Sequence, residues 1–343
     1  MTDRKTELGQ SPIPRLLARY TAPAAVAMVV TSLYNLVDAI FVGQGAGTMA
    51  LAGLTVAFPI QMLIMALAQM VGLGSGSLIS RSLGAGKQRL AEQVAGSSFV
   101  VSLILGAGFT ALGFTFMVPF LKLFGATPLS LPYAQDYLQI IFIGSTYFCF
   151  VVSSNSIARS EGNIKIGMVS MLIGAAVNLI LDPIFILGMD MGIQGAALAT
   201  IIAQLFSFLY LLSYFLSGKS MLKITRKDLR PHLASLPEVF SVGSSSFARS
   251  IATGVLAIVI NNSLTHFGSE IHLALFGVCN RIIMVMFMPI FGLIQGLQPI
   301  VGFNYGSGRY ERVIKALKTG LLWATVWSLF CWVLMQIFAP QIL

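Results

Sequence analysis

Residues 49–82 read MALAGLTVAFPIQMLIMALAQMVGLGSGSLISRS, 34 positions with no charge before Arg81. Roughly 20 apolar residues in a helix cross a bilayer core, so this run spans one with length to spare for tilt or protrusion. Shifted by 222 positions, the run falls on a second one. Leu51, Ala52, Val56, Ile60, Met62, Gly74, Gly84 and Gly86 land on Leu273, Ala274, Val278, Ile282, Met284, Gly296, Gly306 and Gly308, with no gap over 36 positions. Each copy closes on a Gly-x-Gly-basic turn, Gly84-Ala85-Gly86-Lys87 and Gly306-Ser307-Gly308-Arg309.

Outward from this pair, the whole chain divides into nine apolar runs near 15–43, 49–82, 92–120, 131–158, 164–188, 192–217, 236–267, 272–304 and 311–338. The composition agrees. Of 343 residues, 56% are apolar and 10% charged, against roughly 25% charged in a soluble domain. The mean hydropathy is +0.85. Such a chain cannot clothe a soluble globule in polar surface. The expected class is an all-α polytopic membrane protein. A disordered chain, a secreted disulfide scaffold and a cytosolic enzyme are excluded. Cys149, Cys279 and Cys331 all fall within apolar runs and read as free, buried thiols. The polar start, 1–10, and the length of the first apolar run do not fit a cleavable signal sequence.

The charges choose an orientation. With the N-terminus in the cytoplasm, the inner segments collect 18 of the 21 Lys and Arg residues, and the outer loops hold only Lys122. The positive-inside rule therefore places the N-terminus in the cytoplasm of a multi-pass cytoplasmic-membrane protein. The net charge of +9 is topology and not a nucleic-acid surface, which needs a basic face on a folded soluble domain.

The shift lays span seven over span one and span eight over span two. The unit is thus a six-helix bundle, entered from the same side in both copies. Parallel repeats of this kind are a transporter device in which two bundles rock about a site between them. The expected domains are an N-lobe of six helices over 1–217, a linker over 218–237 and a C-lobe over 238–343 that contains its first three helices only. Leu343 corresponds to Leu121, the end of span three. The repeat therefore implies about three further helices, on the order of 100 residues, beyond this sequence.

Ionisable side chains in a hydrocarbon core are costly and mark function. Asp38 and Asp182 lie about 8 and 9 Å below the outer ends of spans one and five, and Thr200 about 12 Å below that of span six, at 1.5 Å per residue. Tyr34 and Asn178 lie one turn below the two acids on the same helix faces. The five groups define a candidate cation or proton site inside the first bundle. Carboxylates, an amide oxygen and hydroxyls are hard ligands for Na⁺ or a proton. Two close carboxylates in a low dielectric do not both ionise, so the pair holds a proton or a cation. The alternative is that each acid caps a structural hydrogen-bond network.

Other features carry less. Pro23, in the first third of span one, removes a backbone hydrogen bond and serves as a hinge or a static kink. Gly72, Gly74 and Gly76 read as close-packing positions. Arg249 and Arg281 lie in the inner halves of spans seven and eight. Asp38 maps to Ile260, and Asn261 and Asn262 fall where the repeat places Ala39 and Ile40, so the second bundle lacks the acid. His232, His266 and His272 have no metal spacing. No nucleophile elbow, zinc-helix motif, Walker A sequence or dinucleotide fingerprint occurs. No enzyme and no cofactor are expected, and an ion gradient replaces ATP as the energy source.

At these residues the chain resembles the multidrug and toxic compound extrusion (MATE) transporters, from Tyr20 to about Leu334. The most specific stretches are 174–186, GAAVNLILDPIFI, followed by 192–200, GIQGAALAT, then 34–43, YNLVDAIFVG, and 83–86, LGAG. At 159–165, RSEGNIK, Ile164 stands where the family usually has proline. The resemblance implies a V-shaped antiporter of two six-helix lobes. In the branch with an acidic N-lobe, positions matching Asp38, Asn178, Asp182 and Thr200 bind the coupling cation, Na⁺ or H⁺. The position matching Tyr34 adjoins them, and that matching Pro23 is linked to bending of span one. Organic, often cationic, small molecules leave as the ion enters, and a monomer in the lipid bilayer is expected. The alternatives are a flippase or exporter of an amphipathic or lipid-linked metabolite, and a truncated remnant that does not transport.

Overall fold

The structure is a computed structural model and describes residues 2–267 and 270–342. The side chains of Asn261, Asn262, His266, His272, Cys279 and Arg281 lie outside the described residues. Among the described residues the chain is helical and has no strand. A short helix, α1 (Thr2–Gln10), precedes nine long ones. These are α2 (Ile13–Gly45), α3 (Gly47–Gly84), α4 (Gln88–Leu123), α5 (Leu131–Ser160), α6 (Ile164–Pro183), α7 (Gly192–Leu216), α8 (Leu236–Phe267), α9 (Glu270–Gly306) and α10 (Tyr310–Ile342).

Each of the nine apolar runs lies on one long helix. Among the described residues, eight helices are long and apolar enough to cross a membrane by composition. The ninth, α8, carries Ser241, Ser244, Ser245, Ser246, Arg249 and Ser250 in its first half and the apolar run 255–260 in its second. The first ten residues, read as merely polar, instead form α1.

Local sequence sets the ends. Pro14 and Pro132 occupy the first turns of α2 and α5, where a missing N–H costs nothing. The two Gly-x-Gly turns fold alike. Gly86 and Gly308 take φ of 75° and 73°, a conformation that favours glycine. Lys87 N–H then reaches Ser82 O at 2.8 Å, and Arg309 N–H reaches Asn304 O at 2.9 Å. These are the same helix cap at positions 222 apart. α6 gives way at Pro183, which has no N–H to donate, to a π-helical turn over Ile184–Gly188.

Helices α2–α7 pack as one bundle, and α8–α10 stand beside it against α2 and α3. The end where α1, the 218–235 connection and both Gly-x-Gly turns gather is called here the basic end. Two apolar cores result. The first, at the basic end, is built from both groups: Leu8, Leu17, Ile79 and Ile157 with Val239, Ile300, Phe303 and Ala316. Among the described residues the second, at the opposite end, is built from α2–α5, α7 and the π turn: Val42, Ile60, Leu121, Tyr137, Phe142 and Ile186.

Buried acids lash the connection to the first bundle. Glu161, fully buried in the turn between α5 and α6, accepts hydrogen bonds from Tyr214 Oη, from Ser220 Oγ at 2.7 Å and from Met221 N–H at 2.7 Å. Burial pushes its carboxyl above the usual range, although these three bonds pull the other way. Asp228 pairs with Arg89 at 2.6 Å and accepts from Thr225 N–H and Oγ1 at 2.8 and 2.6 Å. Burial works upward there too, but Thr225 and Arg89 outweigh it and hold the carboxyl below its usual range. His232 N–H completes the lashing on Ser97 Oγ at 2.8 Å.

Candidate functional site

The first bundle brings four of the five expected residues together. Tyr34 and Asp38 stand one turn apart on α2, and Asn178 and Asp182 one turn apart on α6. The i, i+4 spacing aligns each pair, and the packing of α2 on α6 sets the pairs face to face. Asn178 Nδ2 donates to Asp182 Oδ1 at 3.1 Å. The Asp38 and Asp182 carboxyls face each other closely enough to interact, and the Tyr34 phenol lies within their field. Asn178 and Asp182 are 3% and 1% exposed, and Asp38 is half-buried.

Thr200, on α7, is half-buried and makes no hydrogen bond to this group among the described residues. Pro23 lies low on α2, and the helix runs through it without interruption. Its neighbour Ala24 belongs to the core shared with the second group of helices. Arg249 lies over the Phe291 ring at 5.8 Å, a cation–π contact inside its own group.

One residue escaped the sequence reading. Tyr137 on α5 is 3% exposed, accepts from Gln61 Nε2 at 2.9 Å and lies in the field of Asp38, Tyr34 and Asp182. It is six residues into α5, about 9 Å down and level with the acids. The depth count that found Asp38 finds Tyr137 as well once it is extended to phenols.

Chemically the arrangement is an oxygen site. Asp38 Oδ1, Asp182 Oδ2 and Asn178 Oδ1 are buried without a partner. Buried polar atoms left unpaired are costly. Three hard oxygens, two of them carboxylate, fit a small cation or a proton and hold no nucleophile–base pair.

The comparisons with known proteins fall on this frame. The family model described as MatE matches residues 23–184 and 246–343. The multidrug export protein MepA of Staphylococcus aureus (strain MRSA252) is 27% identical over 310 residues, 90% of this chain and 68% of that protein. A crystal structure of MATE in a bent conformation superposes with a TM-score of 0.92 at 29% identity, over 99% of this chain and 76% of that one. The outward-facing conformation of a multidrug resistance MATE family transporter superposes with a TM-score of 0.93 at 29% identity, over 99% of this chain and 75% of that one.

Proposed function

The chain belongs to the MATE family, and from that premise we propose that it is a cation-coupled antiporter exporting amphipathic, often cationic, small molecules across the cytoplasmic membrane. The observation that carries this reading is the buried Asp38–Asp182 carboxyl pair with its three unpartnered oxygens. The coupling ion is Na⁺ or H⁺. Asp38, Asp182 and Asn178 receive it, Tyr34 and Tyr137 close the site, and Thr200 on α7 adds a hydroxyl when that helix moves in.

Two carboxylates in one low-dielectric site repel when both are ionised. Ion entry cancels that repulsion and lets α2 and α6 approach. An ion held more tightly in one conformation than in the other biases the equilibrium between them, which is the thermodynamic requirement for coupling. Pro23, without an N–H to donate, is the point at which α2 bends in response. The lobes are 1–217 and 238–343, joined by 218–237, and the protein works as a monomer. The basic end faces the cytoplasm, in keeping with the positive-inside rule.

Dye efflux from proteoliposomes under imposed Na⁺ and H⁺ gradients tests the reading. Asp182→Asn is expected to abolish gradient-driven efflux while the purified protein stays monodisperse. Retained efflux overturns the reading. The gradient that drives the wild type names the ion.

A further inference from the structure

The two copies of the repeat touch each other at repeat-related positions. Ser80 and Gly302 are the same position in the two copies, 222 apart, and a Cβ on Gly302 would overlap the Ser80 hydroxyl. Gly76 and Gln298 are also repeat mates. A Cβ on Gly76 would lie 3.1 Å from Gln298 Nε2, which donates to Leu73 O at 3.3 Å. One turn further on, the contact becomes reciprocal. A Cβ on Gly84 would run into the carbonyl oxygen of Phe303, and a Cβ on Gly306 into that of Arg81. Residues 81 and 303 are repeat mates, as are 84 and 306. When equivalent positions meet each other and their neighbours exchange partners, a local two-fold axis runs through the contact. Here it passes between the basic ends of α3 and α9.

The crossing is tight because small residues let the backbones meet. The other hydrogen bonds and close glycine approaches between the lobes surround it. Gly74 meets Val239, Gly243 meets Met70, and Arg81 pairs with Glu238 at 2.8 Å. Among the described residues, all lie in the half of the molecule toward the basic end.

We propose that the two-fold crossing of α3 and α9 is the cytoplasmic gate, with Gly84 and Gly306 as its positioning residues. The proposal rests on the rocking-lobe reading above but not on the identity of ion or substrate. Closed, the gate needs two backbones in contact without side chains between them. Rocking must part them, and a single methyl at either glycine holds them apart.

The test reads access rather than transport. Ser246, 4% exposed at the lobe interface and hydrogen-bonded to Gln69 at 3.4 Å, is the reporter. Ser246→Cys is placed in a protein whose three native cysteines are alanine, and a membrane-impermeant maleimide is added at the cytoplasmic face. Gly84→Ala and Gly306→Ala are each expected to speed labelling by about tenfold or more, the signature of a shifted two-state population. Gly108→Ala, whose Cβ meets only open space, should leave labelling unchanged. Labelling by the two gate variants no faster than by Gly108→Ala overturns the proposal.

A second measurement keeps the native glycines and avoids any failure to fold. Spin labels at Arg81→Cys and Glu238→Cys should report a short distance and, at equilibrium, a second, longer one. One short distance at every pH, Na⁺ concentration and dye concentration overturns the gate. Neither readout requires dye movement, so failure of the antiporter reading leaves them interpretable.

Discussion

The two apolar cores differ in who owns them. Among the described residues, the core at the far end is built by the N-lobe from its own helices, around Phe142, Tyr137 and Ile60. The core at the basic end is held jointly, with Ile300, Phe303 and Val239 of the second group interleaved among Leu17, Ile79 and Ile157 of the first. A core owned by one body survives relative motion of the two bodies, whereas a jointly owned core must be dismantled by it. The N-lobe core therefore frames the carboxyl pair, and the joint core is the one that relative motion of the lobes would open.

The largest expected effect separates site from seal. Asp38→Asn should lower gradient-driven efflux by about 100-fold, the upper range of a coupling energy. It should leave the melting temperature no lower than that of the wild type, because neither core is touched. A variant that melts early would place Asp38 in the scaffold.

Paired core truncations test ownership directly. Phe142 is fully buried and makes edge-on ring contacts with Phe109 and Phe114. Phe142→Ala should cost about 3–5 kcal/mol of unfolding stability. Ile300→Ala, at a fully buried position of the joint core, should cost about 2–5 kcal/mol in the closed state alone. It should therefore also raise maleimide access at the basic end, and Phe142→Ala should not. Equal access in both variants would erase the distinction.

The lashings of the linker come next. Asp228→Asn removes the Arg89 pair and should cost about 2 kcal/mol in thermal unfolding. Because the folded carboxyl is held below its usual value, this contribution is present above about 3.8 and is lost as pH falls through the folded value. The gap between wild type and variant should close in acid.

The smallest effect has the opposite sign. Burial raises the Glu161 carboxyl, so its contribution is complete below about 4.5 and is lost as pH rises through the folded value. The wild type should lose melting temperature relative to Glu161→Gln as pH climbs from that point. A flat difference would mean that the three donors fully offset burial.

The spans were legible because lipid leaves the backbone few options. A run of about 20 apolar residues without helical hydrogen bonds is too costly, so hydropathy placed all nine long helices. The acid pair was legible because acids inside such runs stand out. Tyr137 was missed because a phenol at the same depth is unremarkable in composition. α1 was missed because nine residues with one large apolar side chain, Leu8, carry no apolar period. Its helix is held by tertiary bonds, Asn304 Nδ2 to Leu8 O at 3.0 Å and Arg312 Nη2 to Ser11 O at 2.7 Å. Glu161 and Asp228 were counted only among the charges. Nothing in the sequence reports that a loop acid is buried under the hydroxyls and amides of a distant turn. The repeat was visible as an alignment, but that its copies face each other is a fact of three dimensions.

That last feature bears on the history of the chain. A contact between equivalent surfaces is isologous, the form in which two separate identical subunits associate. In such a pair every substitution acts twice, once on each side. An acid that helps one half must be carried by the other as well. Joining the copies in one polypeptide ends this obligation. Here Asp38 stands in one half and Ile260 at the matching place in the other, while 81, 84, 303 and 306 still meet as mirrored partners. Divergence has been free at Asp38 and constrained at the crossing, where each half still sets the shape of the other.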